Sequence, residues 1–173
     1  ARKSRGLGDV YKRQVQQAKL DDDLCFGTID SWLIYKFTGN HVTDVTNASR
    51  TLLMDLNSLT WLDSVIKLLD IPKNALPAIK PSLFSYGTNK KILKNVPITA
   101  VLGDQQASLF GHNCISTGDV KNTYGTGCFA LTNTGSEIVN SNNGLLSTVA
   151  YQQEGSKPQY ALEGLSLIHI SEP

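Results

Sequence analysis

A chain of 173 residues, 40% apolar and 18% charged, with a formal net charge of +1, has ordinary globular composition, enough for one domain or pieces of two. That near-neutral balance gives no electrostatic case for nucleic acid or an anionic membrane as partner. No apolar run approaches the roughly 20 residues that span a bilayer, so membrane insertion is not expected.

The two ends of the chain share an origin. Residues 6–14 read GLGDVYKRQ, and residues 165–173 read LSLIHISEP. The DNA CTG TCT CTT ATA CAC ATC TCC GAG CCC encodes the second peptide. Its reverse complement, GGG CTC GGA GAT GTG TAT AAG AGA CAG, encodes the first. Agreement at all nine codons on both strands is not expected by chance. The DNA resembles a sequencing-library transposon adapter joined in opposite orientations to the ends of an insert. Residues 1–14 and 165–173 are therefore expected to be adapter-derived and to carry no fold information. The basic cluster Arg2, Lys3 and Arg5 is then no targeting signal, and His169 has no claim to catalysis. Residues 15–164 are expected to be an internal stretch of a longer protein.

Within that stretch, CFGTIDSWLIYKFTG places Ile29, Trp32, Leu33 and Phe37 at helical spacing. Thr28 or Asp30 would cap this helix and Gly39 would stop it. The segment VTDVTNASRTLLMD is rich in Thr, Asn and Ser and reads as a loop leading into a short strand. WLDSVIKLLDI reads as an amphipathic helix with Val65, Ile66, Leu68 and Leu69 inward, ended before Pro72. Pro77 and Pro81 then hold the chain extended as far as Tyr86, and GTNKKILKNV reads as a basic, solvated turn. Ile98 to Leu102 is an apolar run of the kind that marks a strand buried on both faces. Gly103 breaks it, Asp104 follows at once, and QQASLFG supplies good helix formers. A carboxylate just past the end of a buried strand, at a helix start, is where α/β folds place ligands. A helix N-cap, worth about 1 kcal/mol, accounts for Asp104 equally well on spacing alone. From Gly118 the pattern turns to strands, DVKNTY, CFALTNT, LLSTVAYQQ and QYALEG, with GTG and EGSK as turns. The change of pattern over residues 112–118 suggests a domain boundary.

The stretch KNTYGTGCFALTNTG carries the chemical question. A hairpin with small residues at its tip presents backbone N–H groups, and Thr123 and Thr126 add hydroxyls. Such a concave set of donors suits phosphate, and Gly125 and Gly127 let a ligand approach the backbone. Glycines also close ordinary turns, so GTG by itself leaves both readings open. Cys25, Cys114 and Cys128 are widely spaced and odd in number, which gives no disulfide framework and fits a reducing compartment. Cys128 has no basic partner nearby in sequence and reads as a buried structural thiol. His112 and Cys114 alone do not make a zinc site, and Trp32 and Trp61 read as core.

In order along the chain, FGTIDSWLI, VTDVTNASRT, GDQQASLFG, KNTYGTGCF and YALEG resemble the glycerol kinase family, in the sugar-kinase branch of the actin-like ATPases. The resemblance covers essentially all of residues 15–164, and GDQQ is its most specific part. Relatives acting on pentuloses and gluconate usually carry other residues after that Asp. The resemblance implies an α/β, actin-like ATPase (ribonuclease H-like) fold. Residues 15–112 would be the C-terminal part of the N-terminal kinase domain, and residues 113–164 the start of the C-terminal one. It also implies ATP-dependent phosphorylation of glycerol to glycerol 3-phosphate by a parent enzyme, not by this stretch alone. ATP and Mg2+ would be the cofactors, the cytoplasm the location, and a homo-oligomer the full-length state. Asp104 would be the catalytic base and touch the substrate, and Gln105 would hydrogen-bond the substrate. Gly125, Thr126 and Gly127 would meet the ATP phosphates. The family's first phosphate loop, its Arg-Glu substrate pair and its adenosine pocket lie outside this stretch. The Gly-rich insertion linked to sugar-bisphosphate inhibition is absent from KKILKNVPI. The alternatives are a kinase of the same family acting on another polyol or sugar, and a non-catalytic relative acting through interactions only.

The adapter reading has a direct check. A clone amplified from the source genome should continue past Gly164 without LSLIHISEP. That peptide encoded contiguously in genomic DNA would sink the reading.

Overall fold

The computed structural model describes Gln17 and residues 24–89, 95–125 and 127–167. Helix α1 (Ile29–Thr38) leads into strand β1 (Val42–Asp44), the short helix α2 (Val45–Ser49) and the hairpin of β2 (Met54–Asp55) and β3 (Thr60–Trp61). Helix α3 (Asp63–Leu68), a 3-10 turn (Lys73–Ala75) and strand β4 (Ala78–Lys80) follow, with β4 parallel to β1. Strands β5 (Leu83–Asn89) and β6 (Val96–Ala100) pair antiparallel, and the chain then enters helix α4 (Asp104–Gly111). Next come β7 (Val120–Tyr124), β8 (Gly127–Gly135), β9 (Leu146–Tyr151) and β10 (Gln159–Leu167). They form one antiparallel sheet in the order β7-β8-β10-β9. β10 continues through residues 165–167, inside the segment expected to be adapter-derived.

Successive residues of a strand face opposite sides of a sheet, and β9 and β10 use both sides. Val149 and Tyr160 pack with Val45, Ala48 and Met54 on the face that α2 covers. Their neighbours Ala150 and Ala161 pack with Leu109, Cys114 and Leu131 on the face that α4 covers. The sheet thus holds one helix against each face. A main-chain link also joins the halves: Leu83 donates to Gln152 O at 3.0 Å and accepts from Glu154 N–H at 3.1 Å.

The Thr- and Asn-rich segment is more ordered than its composition suggests. Residues 45–49 are helical because Asp44, fully buried, caps them. Its Oδ1 accepts the Asn47 N–H and its Oδ2 accepts the Thr46 N–H, both at 2.9 Å. The same carboxylate accepts the Thr46 hydroxyl at 2.7 Å, the Ser82 hydroxyl at 2.8 Å and the Asn47 side-chain amide at 2.8 Å. Burial pushes the Asp44 pKa up, and the bonds from Asn47 and Thr46 pull it down by less. The polar network runs on beyond the cap. Ser49 meets Thr148 at 2.8 Å, and the Gln106 side-chain amide donates to the Thr148 hydroxyl at 3.2 Å, all three residues buried.

Three expectations about burial come out differently. Helix α1 forms where expected, and Gly39 ends it at a left-handed φ of 86°. Its buried side, however, is Asp30, Ser31 and Ile34, while Trp32 is 55% exposed and is no core residue. Asp30 Oδ2 accepts the Thr43 hydroxyl at 2.7 Å, and that polar contact turns the helix towards β1. In α3 only Ile66 is buried, and Leu68 is 82% exposed. Strand β6, read as buried on both faces, ends at Ala100, pairs among the described residues with β5 alone, and leaves Val96 47% exposed. The apolar sides of α1 and β6 face a common open groove of about 870 Å³, lined by Ile29, Leu33, Phe37, Val96 and Ile98. The apolar pattern is real, and the described residues do not cover it.

Removing the Asp44 carboxylate tests the cap. Asp44→Ala leaves the Thr46 and Asn47 amides and the Ser82 hydroxyl without their acceptor. The expected cost is about 3 kcal/mol or more, read from urea unfolding followed by circular dichroism. A loss below about 1 kcal/mol would mean that those donors find other partners.

Candidate active site

The site is built from the end of the β5–β6 pair. Gly103 is the N-cap of α4, and its N–H donates to the Thr46 hydroxyl at 2.8 Å. Thr46 in turn donates to Asp44, so the start of α4 hangs from the buried cap of α2. A Cβ on Gly103 would come within 2.6 Å of Gln106 Oε1, so that side chain would have to shift to admit one. Asp104 is the first helical residue, and its side chain is exposed. Its Oδ1 accepts the N–H of the next residue, Gln105, at 2.8 Å. That is not N-cap geometry, so the capping account of Asp104 falls away. A carboxylate in the first turn still sits well with the positive end of the helix dipole.

Gln105 is half-buried behind Asp104. Its Oε1 accepts the Lys121 ammonium at 2.6 Å, and Lys121 also donates to the Thr123 hydroxyl at 2.7 Å. Lys121 lies on β7 and is only 5% exposed. Burial pushes its pKa down, while Asp104, Glu163 and Cys114 act to hold it up. Glu163, on β10 and 3% exposed, accepts the Arg50 guanidinium through Oε2 at 2.5 Å. Its Oε1 is buried and finds no partner among the described residues. Burial raises the Glu163 pKa, Arg50 and Lys121 oppose that, and Asp104 adds to it. Charges from α2's end, α4, β7 and β10 therefore act on one another around the start of α4.

Lys121, Glu163 and Arg50 were not singled out by sequence reasoning. Each sat inside a stretch already recognised, KNTYGTGCF, YALEG or VTDVTNASRT. The available signal was a charge inside an otherwise strand-like or buried run.

Of the three residues expected to meet phosphates, Gly125 and Gly127 flank the hairpin tip between β7 and β8, and Thr126 lies outside the described residues. The Gly125 N–H donates to Gly127 O at 3.0 Å, so it closes the turn and is not offered outward. A Cβ on Gly125 would meet nothing nearer than Gly127 O at 3.9 Å, and its φ is not left-handed. Among the described residues nothing demands glycine there, and none of them fills the space beyond it. Lys121 joins the parts: it bonds Gln105 at the start of α4 and Thr123 on the strand that ends at Tyr124, next to Gly125. Cys128 is half-buried, not buried as expected. His112 Nδ1 meets Ser108 O at 2.8 Å, and the Cys114 thiol points to His112 O at 3.9 Å. Among the described residues no group of three or more His, Cys, Asp or Glu could hold a metal ion.

Residues 7–111 match the N-terminal domain of the FGGY family of carbohydrate kinases. The chain belongs to that family. This FGGY-family chain is 54% identical over 148 residues to a glycerol kinase of Brucella anthropi, which covers 82% of the chain and 30% of the relative. It is 50% identical over 155 residues to a glycerol kinase of Haloferax volcanii, covering 87% of the chain and 30% of the relative. The chain thus spans about 30% of the length of the curated relatives it matches. A solved glycerol kinase of Plasmodium falciparum, with ADP, superposes with a TM-score of 0.84 at 42% identity, over 88% of this chain and 31% of that one. A ligand-bound xylulose kinase of Lactobacillus acidophilus shares the fold, with a TM-score of 0.72 at 23% identity, over 90% of this chain and 33% of that one. The fold is the actin-like ATPase fold of the sugar kinases, as expected.

Glu163 gives the site a pH signature. Its pKa is raised by folding, so its contribution to stability is complete below the ordinary glutamate range and is lost as pH rises through the raised value. Across that window the melting temperature of the wild type should fall relative to Glu163→Gln, which cannot titrate. Thermal melts of both proteins at a series of pH values check this. Parallel curves would show that Glu163 does not titrate there.

Proposed function

We propose that the protein carrying this chain is an ATP-dependent glycerol kinase, forming glycerol 3-phosphate, with Asp104 as general base. The observation that carries the reading is an exposed carboxylate at the first position of α4, freed from capping, beside an amide held by a buried lysine. The similarity to proteins named glycerol kinase, at 50% and 54% identity, supports glycerol as the acceptor.

In this reading the Asp104 carboxylate takes the proton of the attacking hydroxyl. The hydroxyl oxygen forms the new bond to the γ-phosphorus, the bond to the leaving phosphate breaks, and ADP departs with its electrons. Gln105 holds the substrate through its amide. Thr126 and Gly127 receive the phosphates, and Gly125 serves by leaving room for them and not by its N–H. Such chemistry asks for positioning and charge stabilisation more than for covalent help. Mg2+ fits as an ion carried by the phosphates, because the described residues offer an isolated exposed carboxylate, Asp104, and no ready cage.

The proposed organisation keeps residues 15–112 as the end of the N-terminal kinase domain and residues 113–164 as the start of the C-terminal one. Supporting it, the open apolar faces of α1 and β6 suit cover by further sheet of the first domain. A cytoplasmic location and a homo-oligomeric full-length enzyme complete the proposal. The three cysteines are all unpaired, which suits a reducing compartment. No helix among the described residues is long and apolar enough to cross a membrane.

Kinetics of the full-length parent separate the roles. Asp104→Asn keeps size and hydrogen bonding but cannot take the proton, so kcat should fall by about 10²–10⁴. Gln105→Ala should act mainly by raising the KM for glycerol. Thr126→Val should weaken nucleotide handling and leave glycerol affinity nearly intact. A folded Asp104→Asn enzyme with near-wild-type kcat would overturn the assignment. Turnover of another polyol in preference to glycerol would move the enzyme to a sister activity.

A further inference from the structure

We infer that Lys121 is the positioning residue that fixes the Gln105 amide, so that Gln105 meets the substrate as a hydrogen-bond donor through Nε2. A glutamine side chain has a carbonyl acceptor at one corner and an NH2 donor at the other, and either could face a hydroxyl. An ammonium has three donors and no acceptor. With Lys121 Nζ 2.6 Å from the Gln105 side chain, the corner facing it must be Oε1, and Nε2 must point the other way.

Lys121 is itself well held. It is buried on β7, and Thr123 accepts a second of its protons at 2.7 Å, so the ammonium cannot swing away from the amide without losing both bonds. Asp104 and Glu163 both act to keep it charged against its burial. The acceptor Asp104 and the donor Gln105 then stand side by side at the start of α4, one for each half of a hydroxyl's hydrogen-bonding capacity. A polyol with neighbouring hydroxyls matches that pair: one hydroxyl gives its proton to Asp104, and the oxygen of another accepts from Gln105.

The inference rests on the phosphoryl-transfer reading above. It is tested in the full-length parent with Lys121→Met, Lys121→Arg and Gln105→Glu. Gln105→Glu is isosteric and keeps an oxygen towards Lys121, but it presents an acceptor where Nε2 stood. Its KM for glycerol should rise about ten-fold, the loss of one hydrogen bond with its partner left unpaired. Lys121→Met should raise the glycerol KM by a similar factor, with kcat within about two-fold and the KM for ATP unchanged. Lys121→Arg, still a donor-only cation, should recover part of that loss. In the Lys121→Met background, Gln105→Glu should add less than it does alone, since both act through the same amide. A Gln105→Glu enzyme with wild-type glycerol KM would mean that Oε1 faces the substrate, and the inference falls. So it does if Lys121→Met lowers stability and leaves the glycerol KM untouched. Where the wild-type parent turns over another polyol, the same split is read on that acceptor. A parent that turns over no polyol sinks the kinase reading and takes this inference with it.

Discussion

The arrangement depends on one buried carboxylate. Asp44 accepts from two backbone amides, two hydroxyls and a side-chain amide, drawn from α2 and from Ser82 ahead of β5. A carboxylate so deep in apolar surroundings is unfavourable unless its lone pairs are filled, and filling them fixes the segments that supply the donors. Thr46 passes the constraint on, accepting from Gly103 N–H while it donates to Asp44. The first turn of α4 is therefore located by hydrogen bonds from behind, and Asp104 is left at its exposed corner without the capping role.

The same logic orders the charges in front. Lys121 and Glu163 would each be disfavoured alone at their depth, and each lowers the cost of the other, with Arg50 adding its charge beside Glu163. Arg50 follows α2 and Glu163 lies on β10, so their pair ties the first half of the chain to the sheet of the second. Arg50 is the more exposed partner, with its side chain at 37%, whereas Glu163 is enclosed. Whatever moves the sheet relative to α2 must therefore either carry this pair along or uncover a carboxylate whose second oxygen has no donor among the described residues. The contact favours motion of α2 and the sheet as one body.

Sequence reasoning worked where local chemistry decides the outcome. Four strands from Val120 onward fall where their alternation placed them, and Gly39 and Gly103 punctuate the chain as expected. It failed where tertiary contacts overrule composition. Residues 45–49 read as loop because Thr, Asn and Ser are poor helix formers, yet a single cap and burial against β9 suffice to make them helical. The burial of Trp32 on α1, and of Leu68 and Leu69 at the end of α3, was misjudged because periodicity shows which side is apolar, not whether anything is there to cover it. In the site, Asp104 and Gln105 were legible from GDQQ, while Lys121, Glu163 and Arg50 were not. Their importance lies in contacts across 16 and 113 positions of sequence, which no local pattern reports.

The strand β6 shows what that distinction is worth. An apolar run with Gly and Asp at its end is the pattern of a strand buried in the middle of a parallel sheet, and such a strand needs neighbours on both edges and both faces. Here it has one neighbour, antiparallel β5, and its outer side opens on the groove shared with α1. Leaving Ile29, Leu33, Val96 and Ile98 on that groove forgoes about 25 cal/mol for each Å² of apolar surface that a covering layer would bury. Asp104 and Asn47 lie at the rim of the same groove. A layer of chain placed there would at once bury the apolar wall and exclude water from one side of Asp104. That is the environment a proton-accepting carboxylate needs and one that the described residues do not supply by themselves.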